Sequence, residues 1–249
     1  MWAVKTAENI RVSSVRSPRG FSRRILAGAV LLTSAVGSVS CTEPAGGQVT
    51  GGTGEGWHLT VYYTAVEGFH ADTPLTTVRG CPQRDCAFGD ELLGAFPASF
   101  VDAVRDEGTG RITSGPRSGS MLNWSFDTGF WLDDIPSDTV GRALVPFRSA
   151  AADPSTLPSG TAFVIDDCGH EEDGSAIDPA ACEALRRTTW EVRDEFTPGL
   201  GGDRRLDLYI GEEDGPGFTE TSPLYLTGVD ARVTVTVTGR ADADRQPRA

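Results

Sequence analysis

Apolar and polar residues alternate most cleanly near the end of the chain. Val233, Val235 and Val237 fall on one side, Thr234, Thr236 and Thr238 on the other. A period of two belongs to a strand with one face buried. Short β-branched or aromatic runs predict further strands at 57–66 (WHLTVYYTAV), 140–147, 161–165, 189–192 and 205–210. Helical spacing is found at 96–105, where Phe100, Val101 and Val104 share a face, Pro97 suits the first turn and Gly108 the end. A second helix starts with Asp178 as cap and Pro179 in first position, and runs to about Arg187. Residues 67–95 mix Gly, Pro and Asp and read as an irregular loop. Residues 121–132 (MLNWSFDTGFWL) are aromatic enough for a core or a groove wall, and 239–249 read as a disordered polar tail. There is no internal repeat. Many short strands and two helices predict a mainly β domain over 57–238, a small barrel with a helix-containing insertion at about 67–138.

The amino terminus has another character. Arg23 and Arg24 precede an apolar run, 25–36, that is shorter than the roughly 20 residues needed to span a bilayer. Bases, a short apolar core and then small residues predict a secretory signal over 1–40. FSRRIL at 21–26 resembles a twin-arginine export signal, and the general secretory route stays open beside it. Ser38-Val39-Ser40-Cys41 resembles the lipidation box of bacterial lipoproteins, with Ser38 where leucine is usual. Lipidation of Cys41 is therefore expected, with ordinary cleavage nearby as the alternative. Residues 41–56 are small, polar and glycine-rich and read as a flexible tether. The expected product is exported, either secreted or held at the cell surface, and touches membrane through its lipid anchor alone.

Composition narrows the partners. The chain carries 22 bases and 35 acids, a net charge of −13. Without residues 1–40 the balance is 16 to 34, or −18, which repels phosphate backbones and argues against nucleic acid. Beyond Cys41 the cysteines are Cys81, Cys86, Cys168 and Cys182, an even number in a chain read as exported, so disulfides are expected. Of three connectivities the local one, 81–86 with 168–182, is favoured. No CxxC or histidine pair supports zinc. The run His170-Glu171-Glu172-Asp173, near Asp166 and Asp167, has metal-ligand residue types but reads as a solvated loop; no metal or other cofactor is expected. Ser99 and Ser120 lack a GxSxG context, and His58, His70 and His170 lack triad spacing. Lys5 is the sole lysine, so no P-loop exists.

Three stretches carry candidate chemistry: AADPSTLPSGT at 151–161, WEVRD at 190–194 and GGDRRLDLYIG at 201–211. Together they resemble the three-aspartate ("3D") domain of MltA-type membrane-bound lytic transglycosylases and other exported cell-wall proteins. Asp153, Asp194 and Asp207 fall on its three aspartates. Glu195-Phe196 follows Asp194 where that family has x-Gly, and Asp127-Thr128-Gly129 lies upstream, out of order. The resemblance implies a six-stranded double-psi β-barrel acting on peptidoglycan or another cell-wall glycan.

Breaking a glycosidic bond requires a proton for the leaving oxygen. An isolated Asp, with a pKa near ~3.9, is a poor acid at neutral pH. Neighbouring carboxylates and burial keep a proton in place. The resemblance implies Asp207 as the acid, which then serves as base on the sugar's own 6-hydroxyl and gives a 1,6-anhydro product. Asp194 and Asp153 would tune or orient. Trp124, Trp131, Trp190 and Tyr209 are candidate stacking platforms for sugar rings. Two readings stand: a lytic transglycosylase-like enzyme, or a non-catalytic envelope lipoprotein whose barrel binds glycan or protein. The local alternatives are a turn for Asp153, a strand end for Asp194, and an ion pair with Arg204 or Arg205 for Asp207.

Overall fold

A computed structural model describes residues 51–71 and 73–236. The expected signal, Cys41, the start of the tether, Val237 and the tail lie outside the described residues. Six strands close a ring: β1 (Gly52–Val66), β7 (Ser149–Ala152), β8 (Ala162–Asp167), β9 (Trp190–Glu195), β10 (Arg205–Glu212) and β11 (Gly228–Thr236). Their order is β10-β7-β9-β8-β11-β1, and β1 pairs back onto β10. The pairs β1–β10 and β7–β9 are parallel, and the other four are antiparallel. The protein is thus mainly β, built on the closed six-stranded barrel that the sequence resemblance implies. Inside it Leu59, Phe163, Trp190, Leu206, Leu208 and Val233 are all fully buried.

The insertion supplies β2 (Leu75–Gly80), β3 (Glu91–Pro97), α1 (Ala98–Glu107), β4 (Thr109–Arg111), β5 (Met121–Ser125) and β6 (Gly129–Asp133). The end of β1, Thr64–Val66, pairs with β4 and carries the barrel sheet on into β5 and β6. Helix α1 ends at Gly108, which takes the left-handed conformation suited to glycine. Phe100, Val101 and Val104 are buried on the expected face. The helix lies close on β4 because Gly110 has no side chain; a Cβ there would come within 2.4 Å of Val104 and 2.6 Å of Phe100.

Buried carboxylates fix this junction. Glu67 accepts from the Thr113 and Ser114 N–H groups at 2.7 and 2.9 Å. Glu213 accepts the Val66 N–H at 2.5 Å and meets His70 at 2.8 Å. Helix α2 (Pro179–Arg186) begins as expected, Asp178 accepting from the Ala180 and Ala181 N–H groups, while the short α3 (Phe218–Thr221) precedes β11. The disulfides are local, Cys81–Cys86 and Cys168–Cys182, as favoured. No helix among the described residues is long and apolar enough to cross a membrane.

Three expectations need correction. Residues 67–95 hold a 3-10 turn and most of the β2–β3 hairpin rather than an irregular loop. The strand expected at 140–147 does not form: Pro146 lacks an N–H to donate and Phe147 sits at φ 55°. The strand starts afterwards, on Ser149–Ala152, whose alanines carry little β preference. Finally, β1 begins at Gly52, inside the stretch read as tether, because residues 52–54 pair with β11.

Candidate functional site

The barrel and the insertion face each other across a cleft of about 200 Å³. Its barrel wall is a lateral row across four strands. Thr60 pairs with Asp207, Asp207 with Ala151, and Ala151 with Asp194. Residues paired across strands share a face, so both aspartates project to the same side. Leu206 and Leu208, flanking Asp207, go into the core. For Asp194 the alternation needs help, since Trp190 and Val192 of β9 are both interior. Val192 pairs with Ala150 but Asp194 with Ala151, so Arg193 is an extra residue on β9. A bulge of this kind re-aims the next side chain.

Asp194 is well held. Its Oδ1 accepts from the Glu195 N–H at 2.9 Å and the Thr139 N–H at 3.2 Å, and Oδ2 lies 3.5 Å from the Tyr62 hydroxyl. Thr139 owes its position to Asp138, whose side chain is fully buried. Asp138 accepts from the Val140 and Arg142 N–H groups at 3.0 and 2.7 Å and pairs with the Arg142 Nε at 2.6 Å. Burial pushes the Asp194 carboxyl up to about 6, against these backbone donors.

Asp207 is held less. Its Oδ1 is sealed from solvent and has no hydrogen-bond partner. Burial raises its carboxyl to about 6, opposed by a Thr60 hydrogen bond and the Arg205 charge. Arg205 makes no direct ion pair with it: the guanidinium lies 5.3 Å over the Phe196 ring and donates to the Leu200 carbonyl. Arg204 instead donates to the Glu55 carbonyl. Asp153 does not line the cleft. It closes a turn beyond β7, accepting from the Ser155 N–H and hydroxyl at 2.9 and 2.6 Å, and these bonds hold its carboxyl below the usual range.

A third carboxylate, missed in the sequence, stands on the insertion wall. Glu107, the last residue of α1, lines the cleft and accepts the Tyr63 N–H on Oε2 at 3.2 Å. That N–H is available because, among the described residues, this edge of β1 has no strand partner between Leu59, the last residue paired with β11, and Thr64, the first paired with β4. On the opposite edge the β1–β10 ladder is irregular: Tyr62 pairs with Tyr209 and Thr64 with Glu212, and Gly211, at φ 101°, lies in the gap. Burial first, then the Asp207 charge, raises the Glu107 carboxyl well above its ordinary value. One signal was legible: Asp106-Glu107 puts two acids at a helix end that favours cations.

Of the expected platforms only Trp124 lines the cleft, with Phe126 and Phe196 nearby along its walls. Trp131 and Trp190 are fully buried and Tyr209 nearly so, so these rings have no open face. Trp131 lies beneath Arg84, Trp190 donates to the Leu185 carbonyl, and the Tyr209 hydroxyl meets Thr64 at 2.6 Å. The His170 run is engaged locally, His170 with the Glu171 carbonyl and with Asp230 at 3.4 Å. Asp127 caps the β5–β6 turn by accepting the Ser125 hydroxyl. Among the described residues no group of three or more His, Cys, Asp and Glu could hold a metal ion.

No protein-family model and no curated protein matches the chain. Among solved structures it is similar to MltA from E. coli with bound chitohexaose, at 13% identity and a TM-score of 0.47, over 74% of this chain and 72% of that one. The membrane-bound lytic murein transglycosylase from Agrobacterium tumefaciens gives 13%, 0.44, and 72% and 73%. MltA from Neisseria gonorrhoeae gives 10%, 0.44, and 76% and 74%. Likeness of this degree concerns the general path of the chain and not its chemistry.

Proposed function

We propose that the cleft binds a cell-wall glycan strand and cleaves it by lytic transglycosylation, with Asp207 as the acid. The observation that carries this is the Asp207 carboxyl: central in the cleft wall, one oxygen sealed and unpartnered, and its proton retained to about pH 6. A carboxyl poised near the operating pH is what general acid catalysis requires. Asp207 protonates the glycosidic oxygen as its bond to C1 breaks, and its carboxylate then takes the proton of the sugar's 6-hydroxyl as that oxygen closes on C1, which restores the acid. Asp194, whose Oδ1 takes two backbone N–H groups, supplies a negative charge on the same face once ionised, which favours the cationic character that develops at C1. Trp124 offers a partly open ring for stacking a sugar face.

Digestion of purified peptidoglycan by wild type and Asp207→Asn, read by mass spectrometry for anhydro-muropeptides, tests the proposal. The wild type is expected to release them and the variant not. A wild type that binds the glycan without product leaves the binding reading in its place. Two disulfides fit an oxidising compartment. The reading extends to an exported protein anchored through Cys41, checked by the mass of the mature amino terminus; an unmodified or absent Cys41 rules the anchor out.

A further inference from the structure

The surroundings of Glu107 favour its uncharged form. It ends α1, at the negative pole of the helix dipole. Asp106 precedes it, Asp207 opposes its charge from the other wall, and Glu213 adds to the repulsion. The Tyr63 phenol of β1 and the Tyr225 phenol before β11 also stand within reach of its charge. The bases on neighbouring elements are engaged elsewhere. Arg105 lies 5.3 Å over the Phe130 ring, Arg111 of β4 pairs with Glu212 at 2.7 Å, and His70 meets Glu213. Against all this stands one donor, the Tyr63 N–H on Oε2. Burial decides the balance, since a buried carboxyl with no counter-ion keeps its proton.

A neutral carboxyl has one oxygen that accepts and one that donates. Oε2 is the acceptor, fixed by Tyr63. The proton therefore belongs on Oε1, which has no hydrogen-bond partner among the described residues and is carried by a side chain that lines the cleft. An O–H donor held in a cleft without a protein acceptor is a seat for a ligand oxygen. On a cell-wall glycan the strongest uncharged acceptor is the carbonyl of the 2-acetamido group. We propose that Glu107 is a specificity-determining residue, a neutral acid whose Oε1–H donates to the acetamido carbonyl of a bound sugar. This rests on the glycan reading above and adds the substituent that the cleft recognises. Glu107 exchanges no proton with the reacting atoms; Asp207 alone gives and takes one. Burial, and not a Glu107 charge, raises the Asp207 carboxyl, as a neutral neighbour requires.

The test compares Glu107→Gln, which keeps an uncharged donor and an acceptor for Tyr63, with Glu107→Leu, which keeps neither. On purified peptidoglycan Glu107→Gln is expected within about threefold of wild type, with the pH dependence of kcat/KM unmoved because no charge has been removed. Glu107→Leu raises KM about tenfold at nearly unchanged kcat, as loss of a binding contact does. The acetamido group is tested by calorimetry in an Asp207→Asn background, where the sugar is not turned over. The probes are the β-1,4-linked hexamer of N-acetylglucosamine and its N-trifluoroacetyl analogue, whose carbonyl is a poorer acceptor. The preference for the acetyl hexamer is expected to be about fivefold larger with Glu107 or Glu107→Gln than with Glu107→Leu. If Glu107→Leu unfolds at the assay temperature, Glu107→Met takes its place. Glu107→Gln as damaging as Glu107→Leu, a pH profile displaced by Glu107→Gln, Glu107→Leu at wild-type affinity, or one acetyl preference in all three overturns the proposal. A wild type that yields no anhydro product while the acetyl preference still depends on Glu107 overturns the cleavage reading alone. Binding of neither hexamer overturns both.

Discussion

Asp194 faces the same way as Asp207 because Arg193 is one residue too many for its ladder. Without that bulge Asp194 would follow Val192 into the barrel core. The two aspartates are two strand spacings apart, roughly 10 Å between backbones, with the methyl group of Ala151 between them. A small residue there leaves the space above the row open.

The raised carboxyls of Asp194 and Asp207 have a consequence for stability. Each moves from 3.8 to about 6 on folding, so the folded state binds these protons more tightly than the unfolded state. Their contribution is full below pH 4 and is lost as pH rises through 6. Asp207→Asn removes the cost of the buried charge. Its stability relative to wild type is expected to rise between pH 4 and pH 7, by roughly 3 kcal/mol at most. Urea unfolding midpoints at the two pH values check this, and a difference that does not change with pH contradicts it.

Asp138 is a structural carboxylate with a role at the site. Asp138→Ala strands two backbone N–H groups and leaves the Arg142 guanidinium only its bonds to the Ser159 hydroxyl and the Arg193 carbonyl. A loss of about 2 kcal/mol is expected, the Arg142 side chain being half exposed. Freed of its anchor, Thr139 no longer fixes Asp194, so activity should fall further than the lost stability explains at a temperature where the variant is folded.

Gly110→Ala pushes a methyl group between α1 and β4, where Phe100 and Val104 leave no room. Overpacking of this type costs about 1–3 kcal/mol. The helix that lines one wall of the cleft must shift, and glycan cleavage should drop while Gly215→Ala, at a site with open space and no left-handed backbone, stays active.

The Cys168–Cys182 bridge, fourteen residues apart in sequence, ties the end of β8 to the middle of α2. Replacing both cysteines with serine should cost about 3 kcal/mol through the freedom regained by the unfolded chain. The shift in urea midpoint measures it. The same shift on treating a Cys81→Ser/Cys86→Ser variant with reductant would show that the Cys168–Cys182 bridge is formed.

Much of the barrel was legible in the sequence because β11 alternates cleanly, β10 is a run of strand-forming residues and α2 announces its cap. The β2–β3 hairpin was not, since its residues are interleaved with Gly, Pro and Asp and its packing partners come from elsewhere in the insertion. Strand β7 was missed because three alanines in a row express no β preference; burial between β9 and β10 makes it a strand. At the site, Asp194 and Asp207 were named from the family resemblance, and strand register sets them on one face. Asp153, named the same way, folds into its own turn. Glu107 lies about 90 residues before Asp194, and only the crossing of α1 over the end of β1 brings it to the cleft.

That shared strand also limits how the cleft can work. Because β1 passes unbroken from the ring into the sheet of the insertion, the two walls are not separate bodies on a hinge. A polymer would have to thread an opening of nearly constant width, and selection would fall on the thickness of the strand offered rather than on a closing movement.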